Sequence, residues 1–215
     1  MTGRISFDET RISRQLGITV RRIERMAAYD NAKELLGRAD PTAVFRPQPA
    51  VDWQGEFPLP SAVAEYFTEL GPVDVWIRAY GNPYFLPSLS KLWEHQTGYR
   101  THGFTHERLP DWNDDWLVIA DEGGDPFIFS RGSGVILHAY HGEGVWEPTR
   151  MFDTLIEMVT TFGIIGDIVA LAGRALTDDD SLILPQYREA ARARIGDFLR
   201  SHERADTVVS NLGWG

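Results

Sequence analysis

A single α+β domain, with a central, largely antiparallel sheet flanked by helices and a helical arm at the N-terminus, is what three features of the sequence predict. Three short apolar runs rich in β-branched and aromatic residues, 116–120, 126–130 and 134–140, are separated by "DEGG" and "RGSG", the pattern of an antiparallel meander. Segments with apolar residues at helical spacing lie before and after that meander. With 215 residues, 43% of them hydrophobic and 12% aromatic, the chain can bury one substantial core, whereas two independent domains would each be small.

Taken in order, residues 9–37 read as two helices, broken at "LGIT" (16–19) and stopped by Gly37 and Pro41. The proline-rich "AVFRPQPAVDWQGEFPLP" (43–60) is a connector with at most one short strand. Pro60 then opens an amphipathic helix on Val63, Tyr66, Phe67 and Leu70, stopped by Gly71-Pro72. In "VDVWIRAY" (73–80), Val73, Val75 and Ile77 alternate with Asp74, Trp76 and Arg78, which predicts a half-buried strand. Leu89, Leu92, Trp93 and Gln96 mark a helix between Pro87 and Gly98, and the meander follows. After Pro148, a helix is predicted on Phe152, Leu155, Ile156 and Val159. Beyond the linker "TDDDS", a last one is predicted on Tyr187, Ala191, Ile195 and Phe198. The domain plan is therefore an arm over 1–40 and an α+β domain over 41–215 that ends in a helical extension.

The net charge of −10 is unevenly placed. Residues 1–38 hold eight Lys/Arg against five Asp/Glu, a balance of +3, and residues 39–215 hold thirteen against twenty-six, a balance of −13. Such a body repels nucleic acid and speeds encounter with a basic partner. With no cysteine, disulfides are impossible and a zinc site would have to use His and carboxylates alone. "MTGRISFDET" has no signal-peptide core, and the most apolar stretch, Leu155 to Leu176, is interrupted by Glu157, Asp167 and Arg174. A cytoplasmic protein without a membrane span is expected.

The acids of "DEGGDP" (Asp121, Glu122, Asp125) could bind metal or do acid/base work, yet they lack the alternating ligands and distal glutamate of a calcium loop. No nucleophile with an orienting base stands beside them. A turn explains more, with Gly123 and Gly124 supplying positive φ and Pro126 opening the next strand. His102 and His106 have metal-compatible spacing, but Gly103 and "ERLP" weaken a helix there. Neither a G-x-S-x-G motif, a P-loop, a dinucleotide fingerprint nor H-E-x-x-H occurs. No metal, no cofactor and no catalytic residue is expected. In the arm, "ISRQLGITVRRIERM" (12–26) places Leu16, Ile18 and Ile23 inward and Arg21, Arg22 and Arg25 on a second helix, as in helix-turn-helix DNA readers. A DNA-associated regulator, or an unrecognised enzyme, is therefore the alternative to a binding protein, with nucleic acid the less favoured partner.

"FPLPSAVAEYFTELGP" (57–72), "YGNPYFLPSLSKLWEHQTGYR" (80–100) and "DWNDDWLVIADEGGDPFIFS" (111–130), followed by a strand and a helix after 148, resemble the SUKH superfamily over about residues 45–165. That superfamily includes fungal cell-wall-assembly regulators of the Smi/Knr type and many bacterial immunity proteins. The resemblance implies an α+β scaffold without a catalytic site, and a cognate protein toxin, often a nuclease or deaminase, as the partner whose active site is blocked. Because the binding surface varies among members, no binding residue transfers by motif. Connectors that project outward are the natural candidates, which singles out Glu122, Asp125, Glu143 and Trp146. An interface of ordinary size, roughly 1,600 Å² in total, is expected.

Overall fold

Six strands in the order β1-β2-β3-β4-β5-β6 form one antiparallel sheet, each strand pairing with its sequence neighbour. They are β1 (Val75–Ile77), β2 (Tyr84–Leu86), β3 (Trp116–Glu122), β4 (Asp125–Ser130), β5 (Ile136–His138) and β6 (Thr149–Phe152). Among the described residues six α-helices accompany them: α1 (Glu9–Ala39), α2 (Ser61–Glu69), α3 (Leu89–Leu92), α4 (Leu155–Ala172), α5 (Pro185–Leu199) and α6 (His202–Asn211). The computed structural model describes residues 9–142 and 144–215, and the α+β class with an N-terminal helix is as the sequence predicts.

One face of the sheet carries the main core. Leu117, Ile119, Phe127, Phe129 and Ile136 meet Met158, Val159, Phe162 and Ile165 of α4, and Tyr29, Ala32, Leu35, Leu36 and Ala39 of α1 pack on α4 in turn. Close approach depends on two glycines. A Cβ at Gly163 would stand 2.7 Å from that of Leu35, and one at Gly166 would stand 2.6 Å from that of Ala39. The apolar stretch over α4 is long enough to cross a membrane, but two thirds of it is buried here inside the protein, 67% by residue. Its one deeply buried charge, Asp167, accepts hydrogen bonds from Arg38 of α1 at 3.0 Å and Arg194 of α5 at 2.6 Å. Burial pushes that carboxyl up, and the two arginines more than reverse the effect, holding it below the usual range. The opposite sheet face is covered by the loop after α3. There Tyr99, Trp112, Val118, Ile128 and Ala139 form a second cluster, with Trp116 and Trp146 against it.

Four expectations need correction. The arm is one continuous helix, not two: a single Gly17 costs about 1 kcal/mol in a helix, and no proline or cap lies near it, so the turn that a helix-turn-helix reader needs is absent. Ile23, expected inside, is 60% exposed, while the side chains of Leu16, Ile18 and Arg21 lie outside the described residues. The strand over 73–80 shrinks to three residues because Asp74 takes φ +51°. The helix predicted after Pro148 starts only at Leu155, where Thr154 accepts from the Glu157 N–H at 3.2 Å; Phe152 belongs to β6.

Candidate functional site

Antiparallel order brings the β1–β2, β3–β4 and β5–β6 connectors to one end of the sheet. The middle connector is the shortest. Glu122 pairs with Asp125 across a two-residue turn in which Gly123 and Gly124 take φ +63° and +106°, angles of a type I′ hairpin. A Cβ on Gly123 would also stand 2.2 Å from the Asn82 side chain. Gly123→Ala is therefore expected to cost at least about 1–2 kcal/mol, the penalty for left-handed backbone, read as a lower urea midpoint.

Specific contacts join four connectors into a continuous rim. The Tyr80 hydroxyl donates to the Ser181 carbonyl at 2.9 Å, linking the β1–β2 turn to the α4–α5 loop. Asn82 lies against Gly123. Asp125 accepts from the His141 backbone N–H at 2.7 Å and contacts His141 Nδ1 at 2.6 Å, linking β3–β4 to β5–β6. The Tyr140 hydroxyl then donates to the Asn211 carbonyl at 2.9 Å, tying the loop to α6.

Register assigns the acids to opposite faces. Trp76, Phe85, Asp121 and Pro126 form one cross-strand row, and Ile77, Tyr84, Glu122 and Asp125 form the next. Phe85 carries the exposed Trp76 ring at 4.4 Å on one side of the sheet, and Asp121 beside it lies 3.0 Å from His95 Nε2. On the helix side, burial and then the charges of Asp125 and Asp121 push the Glu122 carboxyl up to about 8, so it is largely protonated at neutral pH. His138 lies 3% exposed against the rings of Phe127 and Tyr140. Burial pushes it down to about 4, against a smaller opposing effect of Asp125, and keeps it neutral.

Of the residues singled out in the sequence, Glu122 and Asp125 are brought face to face, each half-buried. Trp146 is half-buried with its ring 5.8 Å from that of Tyr99 and 5.7 Å from that of Trp112, on the wall of a 290 Å³ cleft shared with Asp111, Tyr140 and Val145. Glu143 lies outside the described residues. Arg22 and Arg25 are exposed on α1, and Arg25 stands 3.6 Å from Glu65. His102 and His106 sit in a turn: His102 Nδ1 accepts from the backbone of Phe104 and Thr105, and His106 has φ +58°. Among the described residues no three His or carboxylate side chains converge as metal ligands.

Sequence reasoning passed over the "TDDDS" loop as a mere linker, although it carries the rim's densest charge. Asp178 accepts from the Asp180 and Leu182 N–H groups, closing a tight turn that leaves Asp179 and Asp180 exposed. Leu182, 60% exposed, and Tyr140, 48% exposed, supply apolar surface on the same connectors. Segments 78–83, 121–125, 139–148 and 176–183 contain Arg78 as their single Lys or Arg. Glu122, Glu147, Asp179 and Asp180 form no ion pair with another described residue, while elsewhere Asp167, Glu157, Asp153, Asp206 and Asp114 all hold arginines. No family model, curated protein or solved structure matches this chain.

Proposed function

We propose that this chain is an immunity-type protein that neutralises a bacterial toxin, a nuclease or other nucleic-acid-targeting enzyme, by covering its active site with the acidic end of the sheet. The observation that favours this role is the unpaired state of three exposed or half-exposed rim carboxylates, Glu147, Asp179 and Asp180. Arg38, Arg192, Arg194 and Arg204 are engaged by other acids, and Glu147, Asp179 and Asp180 hold no ion pair among the described residues, so these three offer charge to an outside partner. An enzyme that grips phosphates presents lysines and arginines, and carboxylates set in the phosphate positions would complement it. Tyr140 and Leu182 would supply the apolar anchors between the charges. The resemblance to immunity proteins of the SUKH superfamily points the same way. In this role the rigid sheet holds its connectors in place before binding, which lowers the ordering cost of the complex.

Co-expression with the product of the neighbouring gene tests the role. The expected result is restored growth and co-purification at fixed stoichiometry. A toxic neighbour that this chain neither binds nor silences would contradict it.

A further inference from the structure

Where the β5–β6 connector meets the loop after α3, a 290 Å³ cleft opens beside the rim, lined by Asp111, Tyr140, Gly142, Gly144, Val145 and Trp146. That is the small end of ligand sites, a size for one side chain rather than a cofactor. Its aromatic walls are held from behind. Trp146 packs inward on Tyr99 and Trp112, and the Tyr140 ring meets that of His138 at 5.0 Å while its hydroxyl donates to Asn211. Both rings are therefore fixed before anything binds, which keeps the ordering cost low. Gly142 and Gly144 add backbone only, and a Cβ on either would meet nothing within 4 Å. Val145, 54% exposed, leaves further apolar surface uncovered.

Asp111 supplies the single charge in that lining. It sits in a turn anchored by the buried Trp112, whose backbone N–H donates to the Leu109 carbonyl at 3.3 Å. Its carboxylate is exposed and forms no hydrogen bond or ion pair with another described residue. Other acids of the same loop are satisfied: Asp114 pairs with Arg100 and Arg108, and Asp115 accepts from Ser130 at 2.7 Å. Segment 139–148 holds no Lys or Arg to answer Asp111. Aromatic faces carry partial negative charge and the carboxylate a full one, so the cleft complements a cation with a flat, weakly hydrated body. A guanidinium stacks on such rings and donates paired N–H groups to a carboxylate, whereas the compact ammonium of lysine holds its water more strongly. The protein uses the same stacking internally, with Arg131 3.9 Å over Phe57 and Arg100 5.6 Å over Trp93.

We infer that this cleft receives an arginine side chain of the basic partner, its guanidinium laid against Trp146 and Tyr140 and hydrogen-bonded to Asp111. The inference rests on the neutralising role proposed above and names the partner group that this corner of the surface takes. Position selects the occupant, because the cleft shares the β5–β6 connector with the acidic rim. Rim charge acts at a distance and speeds encounter. A guanidinium enclosed in the cleft acts at contact and slows escape.

Asp111→Asn tests this in the full chain, since the fold does not lean on an exposed carboxylate with no partner among the described residues. In complex with the neighbouring gene's product, the variant should dissociate at least about tenfold faster with its association rate little changed, and Asp111→Glu should restore part of the loss. Dissociation equal to wild type would overturn the inference and leave the role intact. A second measurement needs no partner. Titration with N-acetyl-arginine amide at millimolar concentrations should move the indole N–H resonance of Trp146, identified among the seven tryptophans by Trp146→Phe. The uncharged N-acetyl-citrulline amide should leave it in place, and Asp111→Asn should abolish the shift. A resonance that ignores both compounds, or answers them alike, would overturn the inference whatever the neighbouring product does.

Discussion

Phe162→Ala is expected to lower stability by about 3–5 kcal/mol, read as a shift of the urea midpoint. Phe162 is fully buried and its ring stacks on that of Tyr84 at 4.1 Å and 10°. It also meets Phe127 at 4.8 Å and Phe152 at 6.4 Å. One side chain of α4 therefore touches β2, β4 and β6, spanning most of the sheet. Removing it opens a cavity against three strands that are already paired and cannot close in on it. Phe162→Leu should cost much less, because it keeps most of the volume. A loss under about 1 kcal/mol for the alanine variant would mean that the helix layer and the sheet do not pack as described.

Glu122→Gln is expected to remove a loss of stability that the wild-type protein suffers as pH rises from about 4.5 to about 8. The unfolded carboxyl releases its proton near 4.5, and the folded one keeps it up to about 8. Between those values the folded state binds more protons, so stability falls as pH rises through the window. His138 acts in the opposite sense: neutral in the fold down to about 4 and ordinarily protonated below 6.5, it adds stability as pH rises from 4 to 6.5. From about 4.5 to 6.5 the two effects offset each other, and above 6.5 only that of Glu122 remains. The amide variant should match wild type near pH 4 and exceed it increasingly above about 4.5, by on the order of a few kcal/mol near pH 9. Parallel pH profiles for the two proteins would show that Glu122 does not sit in the buried, acid-flanked position assigned to it.

Periodicity made the helix layer and the meander legible. The spacing of Val63, Tyr66 and Phe67 located α2, and "DEGG" located the β3–β4 turn, because two glycines between apolar runs have few other uses. What escaped was short or set by distant contacts. β2 has three residues between prolines, too few for alternation to register, and β6 runs straight into the cap of α4, so its Phe152 imitates helical spacing. α6 follows α5 after a break at Arg200, which takes φ +52° with no glycine to announce it. Two of the expected partner-binding residues, Glu122 and Asp125, do sit on the acidic rim. The joining of that rim to "TDDDS" runs through Tyr80 and Ser181, 101 residues apart, a contact that no local pattern encodes.

The rim is the centre of the account, and reversing its charge tests it most directly. Association of the Asp179→Lys, Asp180→Lys, Glu147→Lys variant with the neighbouring gene's product, measured against wild type at low salt, should slow by at least about tenfold, and salt should erase much of the difference. Equal association rates, with growth protection intact in the variant, would contradict recognition through this end of the sheet.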